Sequence, residues 1–90
     1  MNTLIFKPLA KNITFDSDTM WVELFDGRKL GVPFQYFPKL LKATPEQREN
    51  YIISGGGIGL HWEDIDEDIS VEGLLLGIGD RTQNVKKILA

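Results

Sequence analysis

The chain runs Met20-Trp21-Val22-Glu23-Leu24-Phe25-Asp26-Gly27-Arg28-Lys29-Leu30-Gly31-Val32 through the stretch that decides its fold. Two apolar, β-rich runs flank the pair Asp-Gly, which is typical of a β-hairpin turn. A two-residue loop would pair Trp21 with Val32, whereas a three-residue loop pairs Met20 with Val32. Only the second register gathers the apolar side chains on one face, and the buried face sets the register of a half-buried sheet. The sequence therefore predicts a three-residue loop with Gly27 in the left-handed conformation.

Short β-rich runs alternate with turn and helix-cap signals along the rest of the chain. The clearest cap signal is Thr44-Pro45-Glu46-Gln47, in which Thr44 and Gln47 can form a capping box. In the last predicted helix, Leu74 and Leu75 are expected to face the core. The further predicted elements are a strand at residues 13–16, a helix beginning at Pro38, a helical turn at 45–50, a second hairpin of 51–54 and 60–63, and a helix at 71–76 capped by Ser70.

The predicted fold class is α+β: a small, mostly antiparallel sheet of two β-hairpins, with short helices packed on one side. Residues 1–80 are predicted to form a single domain. Residues 81–90 are predicted to form a C-terminal tail or a short docked helix, because the spacing of Val85, Ile88 and Leu89 is helical. A chain of 90 residues makes one domain with a thin core, which leaves little room for an enclosed active site.

Composition favours a cytoplasmic protein. The sequence contains no cysteine, so it can form neither a disulfide nor a thiolate metal site, and small secreted domains usually depend on disulfides. The first residues lack the basic and apolar regions of a signal peptide, and no apolar run approaches the roughly 18 residues that a membrane span needs. We therefore expect a cytoplasmic protein with no membrane contact.

The glycine run at residues 55–59 does not have the spacing of a nucleotide-binding loop. A dinucleotide fingerprint beginning at Gly55 requires glycine at the position of Leu60, and the Gly-Lys-Ser/Thr signature of a triphosphate-binding loop is absent. The run instead predicts a hairpin turn with positive φ angles. No cofactor is predicted.

The most strongly charged part of the sequence is acidic. Residues 63–80 contain seven aspartates and glutamates and no lysine or arginine, within a net charge of −3 for the whole chain. Asp64, Asp66 and Asp68 match the first three ligand positions of a calcium-binding EF-hand loop, but Ile69 stands where that loop requires glycine. The sequence favours a solvated acidic loop over residues 64–68, and a metal site at the three aspartates is the less favoured alternative.

His61 is the only histidine in the chain. Paired with Asp64 or Asp66, it would form a general base for a small metal-dependent or ligand-binding enzyme. No nucleophile is marked by its surroundings, and a lone histidine beside Trp62 in a predicted strand more often packs or makes a backbone hydrogen bond. The sequence therefore disfavours an enzyme and assigns no catalytic residue.

Two other surfaces suggest partners of a different kind. Lys39, Lys42, Arg48 and the basic tail could together contact nucleic acid, but a nucleic-acid-binding regulator usually carries a basic excess that this acidic chain lacks. Trp21 and Phe25 are predicted on the hairpin face opposite the core. An exposed aromatic face favours a protein partner or a homodimer.

The chain carries a series of specific motifs between residues 13 and 77. They are Leu24-Phe25-Asp26-Gly27-Arg28, Val32-Pro33, Phe37-Pro38-Lys39-Leu40, Ala43-Thr44-Pro45-Glu46-Gln47-Arg48, His61-Trp62-Glu63-Asp64-Ile65-Asp66-Glu67-Asp68-Ile69-Ser70 and Gly73-Leu74-Leu75. In order and spacing they resemble the bacterial domain of unknown function 2442 family. The resemblance implies an α+β fold and no established activity. It also implies that the gene lies beside another short gene, in an arrangement like that of toxin–antitoxin pairs.

These observations favour a non-enzymatic interaction or regulatory module, which the resemblance extends to the antitoxin-like member of a two-gene pair. The predicted partner is a small basic protein that faces the acidic loop at residues 63–68. A homodimer is predicted through the aromatic face. The candidate partner-binding residues are His61, Trp62, Asp64, Asp66, Glu67 and Asp68.

Overall fold

The computed structural model describes residues 8–77, and within them it contains six strands and three short α-helices. Two 3-10 turns, Phe34–Tyr36 and Gly55–Gly57, link these elements. The strands are β1 (Ala10–Phe15), β2 (Thr19–Leu24), β3 (Lys29–Pro33), β4 (Tyr51–Ser54), β5 (Gly59–Trp62) and β6 (Glu67–Ser70), and the helices are α1 (Pro38–Lys42), α2 (Pro45–Glu49) and α3 (Val71–Leu75).

The first sheet has the order β1-β2-β3 and is antiparallel throughout. Its hairpin has the predicted register, with Met20 opposite Val32 and the backbone N–H of Leu24 donating to the carbonyl of Arg28 across the three-residue loop (2.8 Å). Gly27 has φ 96°, as that loop requires. The predicted strand at residues 13–16 is confirmed as part of β1, which pairs with β2.

The second sheet has the order β4-β5-β6 and is also antiparallel. The predicted second hairpin is confirmed as β4 and β5. The prediction of a loop over the whole of residues 64–68 is wrong, because Glu67 and Asp68 begin β6. Ile69 lies opposite Leu60, and both side chains are buried. Because this pair sets the register of β6 against β5, the two preceding acidic residues also pair with β5.

A single hydrophobic core joins the two sheets. The inner face of the first sheet contributes Met20 and Val22, and the inner face of the second contributes Leu60 and Trp62; all four are essentially inaccessible to solvent. The Tyr51 hydroxyl donates to a carbonyl of β1 (3.4 Å), which adds a polar link between the sheets. The α+β fold class is confirmed, and each predicted hairpin carries a third strand, so that two sheets enclose the core.

The helices are short, and α2 and α3 begin at side-chain caps. The capping box is confirmed: the backbone N–H of Gln47 donates to Thr44 Oγ1 (3.1 Å), and the backbone N–H of Thr44 donates to Gln47 Oε1 (2.9 Å). Ser70 caps α3 as predicted. The expected core position of Leu75 is wrong, because α3 buries positions three residues apart, Val71 and Leu74, and the next residue is turned outward by about 100°.

Among residues 8–77, no helix has the length and apolar character needed to cross a bilayer. The predicted tail or docked helix at residues 81–90 lies outside the described residues, as does the boundary of the predicted domain at residue 80.

Candidate interaction surface

The outer face of the second sheet carries two of the candidate residues, His61 and Asp68. Strand pairing places Ile52, His61 and Asp68 in one row across β4, β5 and β6. Side chains alternate between the two faces of a strand, and the neighbouring row on the inner face contains the buried Leu60 and Ile69. We call the row Ile52, His61 and Asp68 the outer row.

His61 is paired with Asp68, not with Asp64 or Asp66 as the sequence suggested. The distance from His61 Nδ1 to Asp68 Oδ1 is 2.6 Å. The strand register explains this correction, because it places Asp68 directly across from His61, whereas Asp64 and Asp66 lie in the turn between the two strands. When the proton is on Nδ1, the Asp68 carboxylate accepts it in a hydrogen bond and Nε2 keeps an acceptor lone pair.

Trp62 belongs to the core rather than to the surface. Its side chain is fully buried, and the indole Nε1–H donates to the Arg48 carbonyl at 2.9 Å. Glu67 is half-buried, and its carboxylate accepts a hydrogen bond from the backbone N–H of Asp68 (3.2 Å). The exposed candidate residues are therefore the three aspartates, two in the turn and one in β6.

The two aspartates of the turn between β5 and β6 have different hydrogen-bond partners. Asp64 accepts a hydrogen bond from Asn50 Nδ2 (3.0 Å), and Asp66 has φ 52° and accepts from Lys39 Nζ through its backbone carbonyl (2.7 Å). Within the part of the chain that the structure describes, no group of three or more His, Asp or Glu side chains is arranged to hold a metal ion. The alternative of a metal-dependent enzyme therefore finds no ligand set among these residues.

Two of the basic residues considered for nucleic-acid binding, Arg48 and Lys39, are engaged within the fold. Arg48 Nε donates to the Leu40 carbonyl (2.8 Å) and Nη2 donates to the Leu41 carbonyl (3.0 Å), so the guanidinium satisfies the end of α1. The same group lies 4.1 Å from the centre of the Phe34 ring, in cation–π geometry. With Lys39 bound to a backbone carbonyl of the turn, these side chains do not form a free basic surface.

Charge is divided unevenly along the described chain. Residues 46–77 contain eight aspartates and glutamates, and Arg48 is their single lysine or arginine. Residues 8–45, which include the whole first sheet, contain four acidic residues and five lysines and arginines. We call residues 46–77 the acidic half. It extends from the turn beside β6 to a shallow cleft of about 420 Å³ lined by Glu46, Gln47, Glu49, Asn50 and Asp64.

Trp21 lies on the outer face of the first sheet, as predicted. Trp21 is 40% exposed and lies directly on Gly31, where a Cβ atom would meet the indole ring at 2.7 Å. Its Nε1–H donates to Asp16 Oδ2 (2.9 Å), so the indole is bound within its own sheet. Phe25, at the hairpin loop, is 64% exposed. Self-association through this face remains a prediction.

Acid denaturation tests the bond between Asp16 and Trp21. The indole hydrogen bond, with the backbone N–H groups of Asp18 and Thr19, holds the pKa of Asp16 below its ordinary value of 3.8. Ionised Asp16 therefore stabilises the fold above about pH 4, and this contribution is lost as the pH falls through the lowered pKa. We expect Asp16→Asn to have a lower free energy of unfolding than the wild type near pH 6. In acid the two proteins should differ much less, because Asp16 is then protonated in the wild type. Urea denaturation across this pH range measures it, and a deficit of constant size would contradict the assignment.

Two three-stranded antiparallel sheets around one core define this chain as a small α+β domain. The family described as a protein of unknown function, DUF2442, matches residues 10–80, and the chain belongs to that family. Two solved structures have a similar fold. A protein of unknown function from Rhodospirillum rubrum is 34% identical with a TM-score of 0.74, over 82% of this chain and 92% of that one.

The second similar structure is an uncharacterised protein from Chromobacterium violaceum. It is 30% identical with a TM-score of 0.67, over 77% of this chain and 65% of that longer one. No curated protein matches the chain. The comparisons establish the family and the fold.

Proposed function

We propose that this protein is a non-enzymatic interaction module of the cytoplasm whose acidic half binds a small basic protein. The observation that carries the proposal is the division of charge: between residues 46 and 77, eight carboxylates are accompanied by one arginine, and the side chain of that arginine is spent on two backbone carbonyls and an aromatic ring. The role of antitoxin-like member of a two-gene pair is part of the same proposal, since such a member binds its partner protein directly.

A surface with an excess of one charge sign has a defined physical effect on association. It raises the encounter rate with an oppositely charged partner and disfavours partners of like charge. Nucleic acid is of like charge, so the same surface repels it. The turn at residues 63–66 and the exposed Asp68 present this charge on fixed backbone rather than on a loose segment, because the turn is held by the Lys39 and Asn50 hydrogen bonds.

Neutralising three aspartates tests the proposal. The variant Asp64→Asn, Asp66→Asn, Asp68→Asn removes three charges but keeps an acceptor oxygen at each position, and asparagine tolerates the positive φ of residue 66. We expect the fold to be unchanged in circular dichroism. We expect the yield of a small basic protein, captured from native lysate at near-equal stoichiometry, to fall by at least about tenfold.

A control with the same charge change separates this surface from net charge alone. The variant Asp18→Asn, Glu23→Gln, Asp26→Asn neutralises three acidic residues of the first sheet and its loops. The control variant should still capture the basic protein. Capture by the wild type and by the control should weaken as salt is raised from about 0.1 to about 0.5 M, because added ions screen exposed charges. Equal capture by the wild type and by the variant at residues 64, 66 and 68 would reject the proposal.

A further inference from the structure

We propose that the partner docks on the outer face of the second sheet, with a segment that lays an aliphatic side chain on Ile52 and directs a lysine or arginine at Asp68. This inference rests on the proposed function and adds the place and the chemistry of the contact. It differs from binding by the acidic turn alone, because its centre is a strand face that carries an apolar residue.

Ile52 is the apolar part of this face. Its side chain is 53% exposed although it lies inside a β-strand, whereas Tyr51 and Ile53, its neighbours in β4, are turned towards the core. The next outward-facing row contains only Ser54, Gly59 and Ser70. These residues are too small to shield an isoleucine, so the face is open and flat beside it.

The polar part of the face lies across the same row. Asp68 has a side chain that is 79% exposed, and His61, which lies between it and Ile52, fixes the carboxylate through the 2.6 Å contact. In the neutral ring with its proton on Nδ1, His61 Nε2 is an acceptor for a second hydrogen bond. A segment with a basic and an aliphatic residue two positions apart matches this order of groups, because side chains two residues apart in an extended chain lie on the same face. Its aliphatic side chain reaches Ile52 when its amine reaches Asp68.

Charge selects a basic partner over a second copy of this chain. A two-fold dimer through the outer row would bring the same patch of each protomer together, so Asp68 and the acidic half of one copy would face those of the other. Like charges across an interface are destabilising. The apolar residue gives the contact its position, and the carboxylates exclude a self-complementary arrangement.

Two short peptides of equal charge test the surface on the intact protein. The probes are acetyl-Lys-Ser-Leu-Ser-Lys-amide and acetyl-Lys-Ser-Gly-Ser-Lys-amide, which place the lysines and the central residue on one face when extended. They are titrated into the labelled protein and followed by backbone amide shifts in NMR. We expect the leucine peptide to bind at least about fivefold more tightly than the glycine peptide. The largest shifts should fall at Ile52, His61 and Asp68.

A pair of matched variants completes the test. Ile52 and Ile58 are exposed to nearly the same extent, 53% and 54%, but Ile58 lies at the glycine turn, away from the outer row. Ile52→Lys should weaken binding of the leucine peptide by about tenfold, whereas Ile58→Lys, with the same change of charge, should weaken it less than about twofold. Thermal denaturation of both variants confirms that each is folded.

Different failures point to different errors. Equal weakening by the two lysine variants, equal binding of the two peptides, or no binding of either overturns the docking surface. The proposed function has its own test, because loss of the captured basic protein in the variant at residues 64, 66 and 68 does not depend on Ile52. If that capture is charge-dependent while Ile52→Lys binds its partner like the wild type, the acidic half binds elsewhere than on the outer row.

Discussion

Replacement of Trp62 by alanine is expected to lower the free energy of unfolding by about 3–5 kcal/mol, the usual cost of removing a large buried aromatic side chain. Trp62 has no exposed surface and lies in the core between the two sheets. Its indole also supplies the hydrogen bond to the Arg48 carbonyl, and loss of that donor leaves the acceptor without its partner. A domain of this size has about 5–15 kcal/mol of stability in total, so the variant should be largely unfolded under mild denaturing conditions.

Urea denaturation followed by far-ultraviolet circular dichroism measures this effect without relying on tryptophan fluorescence. Trp21→Ala is the matched control, because Trp21 is 40% exposed and lies on the outer face of the first sheet. Its cost should be well below that of Trp62→Ala, because it removes a partly exposed ring and one exposed hydrogen bond to the Asp16 carboxylate. If the alanine variant does not fold, Trp62→Phe should still lose about 2 kcal/mol. Similar losses for Trp21→Ala and Trp62→Ala would contradict the central position of Trp62.

The first hairpin and the helix caps could be predicted from the sequence because their signals are local. Asp26 and Gly27 specify the loop, and the alternation of Met20 and Val22 with exposed residues selects one of two registers. The capping box needs only Thr44 and Gln47, which lie three residues apart. In each case the interacting groups are close in sequence, so a short stretch contains the whole of the information.

Strand β6 could not be predicted in the same way, because its stability comes from pairing with β5. Glu67 and Asp68 have low intrinsic preference for strands, and Ile69 is the single apolar residue of β6. The partner of His61 depends on the same pairing, which is why the sequence suggested Asp64 or Asp66 instead of Asp68. A search for the partner of the buried Leu60 would have found Ile69 and with it this register.

The charge pattern of the sequence indicates the candidate surface, but it does not indicate the apolar centre at Ile52. Alternation in β4 and β5 could have placed Trp62 inside with Leu60, and Ile52 outside between Tyr51 and Ile53. No local pattern could have shown that Arg48 turns inward. Its acceptors, the carbonyls of Leu40 and Leu41, come within reach only when α2 folds back on α1.

The glycine turn between β4 and β5 gives the second large effect, and Gly57→Ala is expected to lower the free energy of unfolding by about 3 kcal/mol. Gly57 has φ 117°, which disfavours any L-amino acid with a side chain. A Cβ atom at this position would also lie 2.8 Å from both the backbone nitrogen and the carbonyl oxygen of Ala10. Ala10 belongs to β1, and main-chain atoms cannot rotate away as a side chain can. These close contacts can therefore be relieved only if the turn and β1 move apart.

Gly56→Ala separates the two contributions, because Gly56 is the adjacent residue of the same turn. It has φ 69°, and nothing lies within 4 Å of a Cβ built on it. This control should therefore lose only the conformational part, about 1 kcal/mol, in parallel urea denaturation experiments. The remaining difference of about 2 kcal/mol combines the cost of displacing β1 with the greater backbone strain of a side chain at φ 117° than at φ 69°. The Ala10 amide resonance should shift in Gly57→Ala and stay in place in Gly56→Ala. Equal losses in the two variants would mean that the close approach of the turn to β1 contributes nothing to holding the two sheets together.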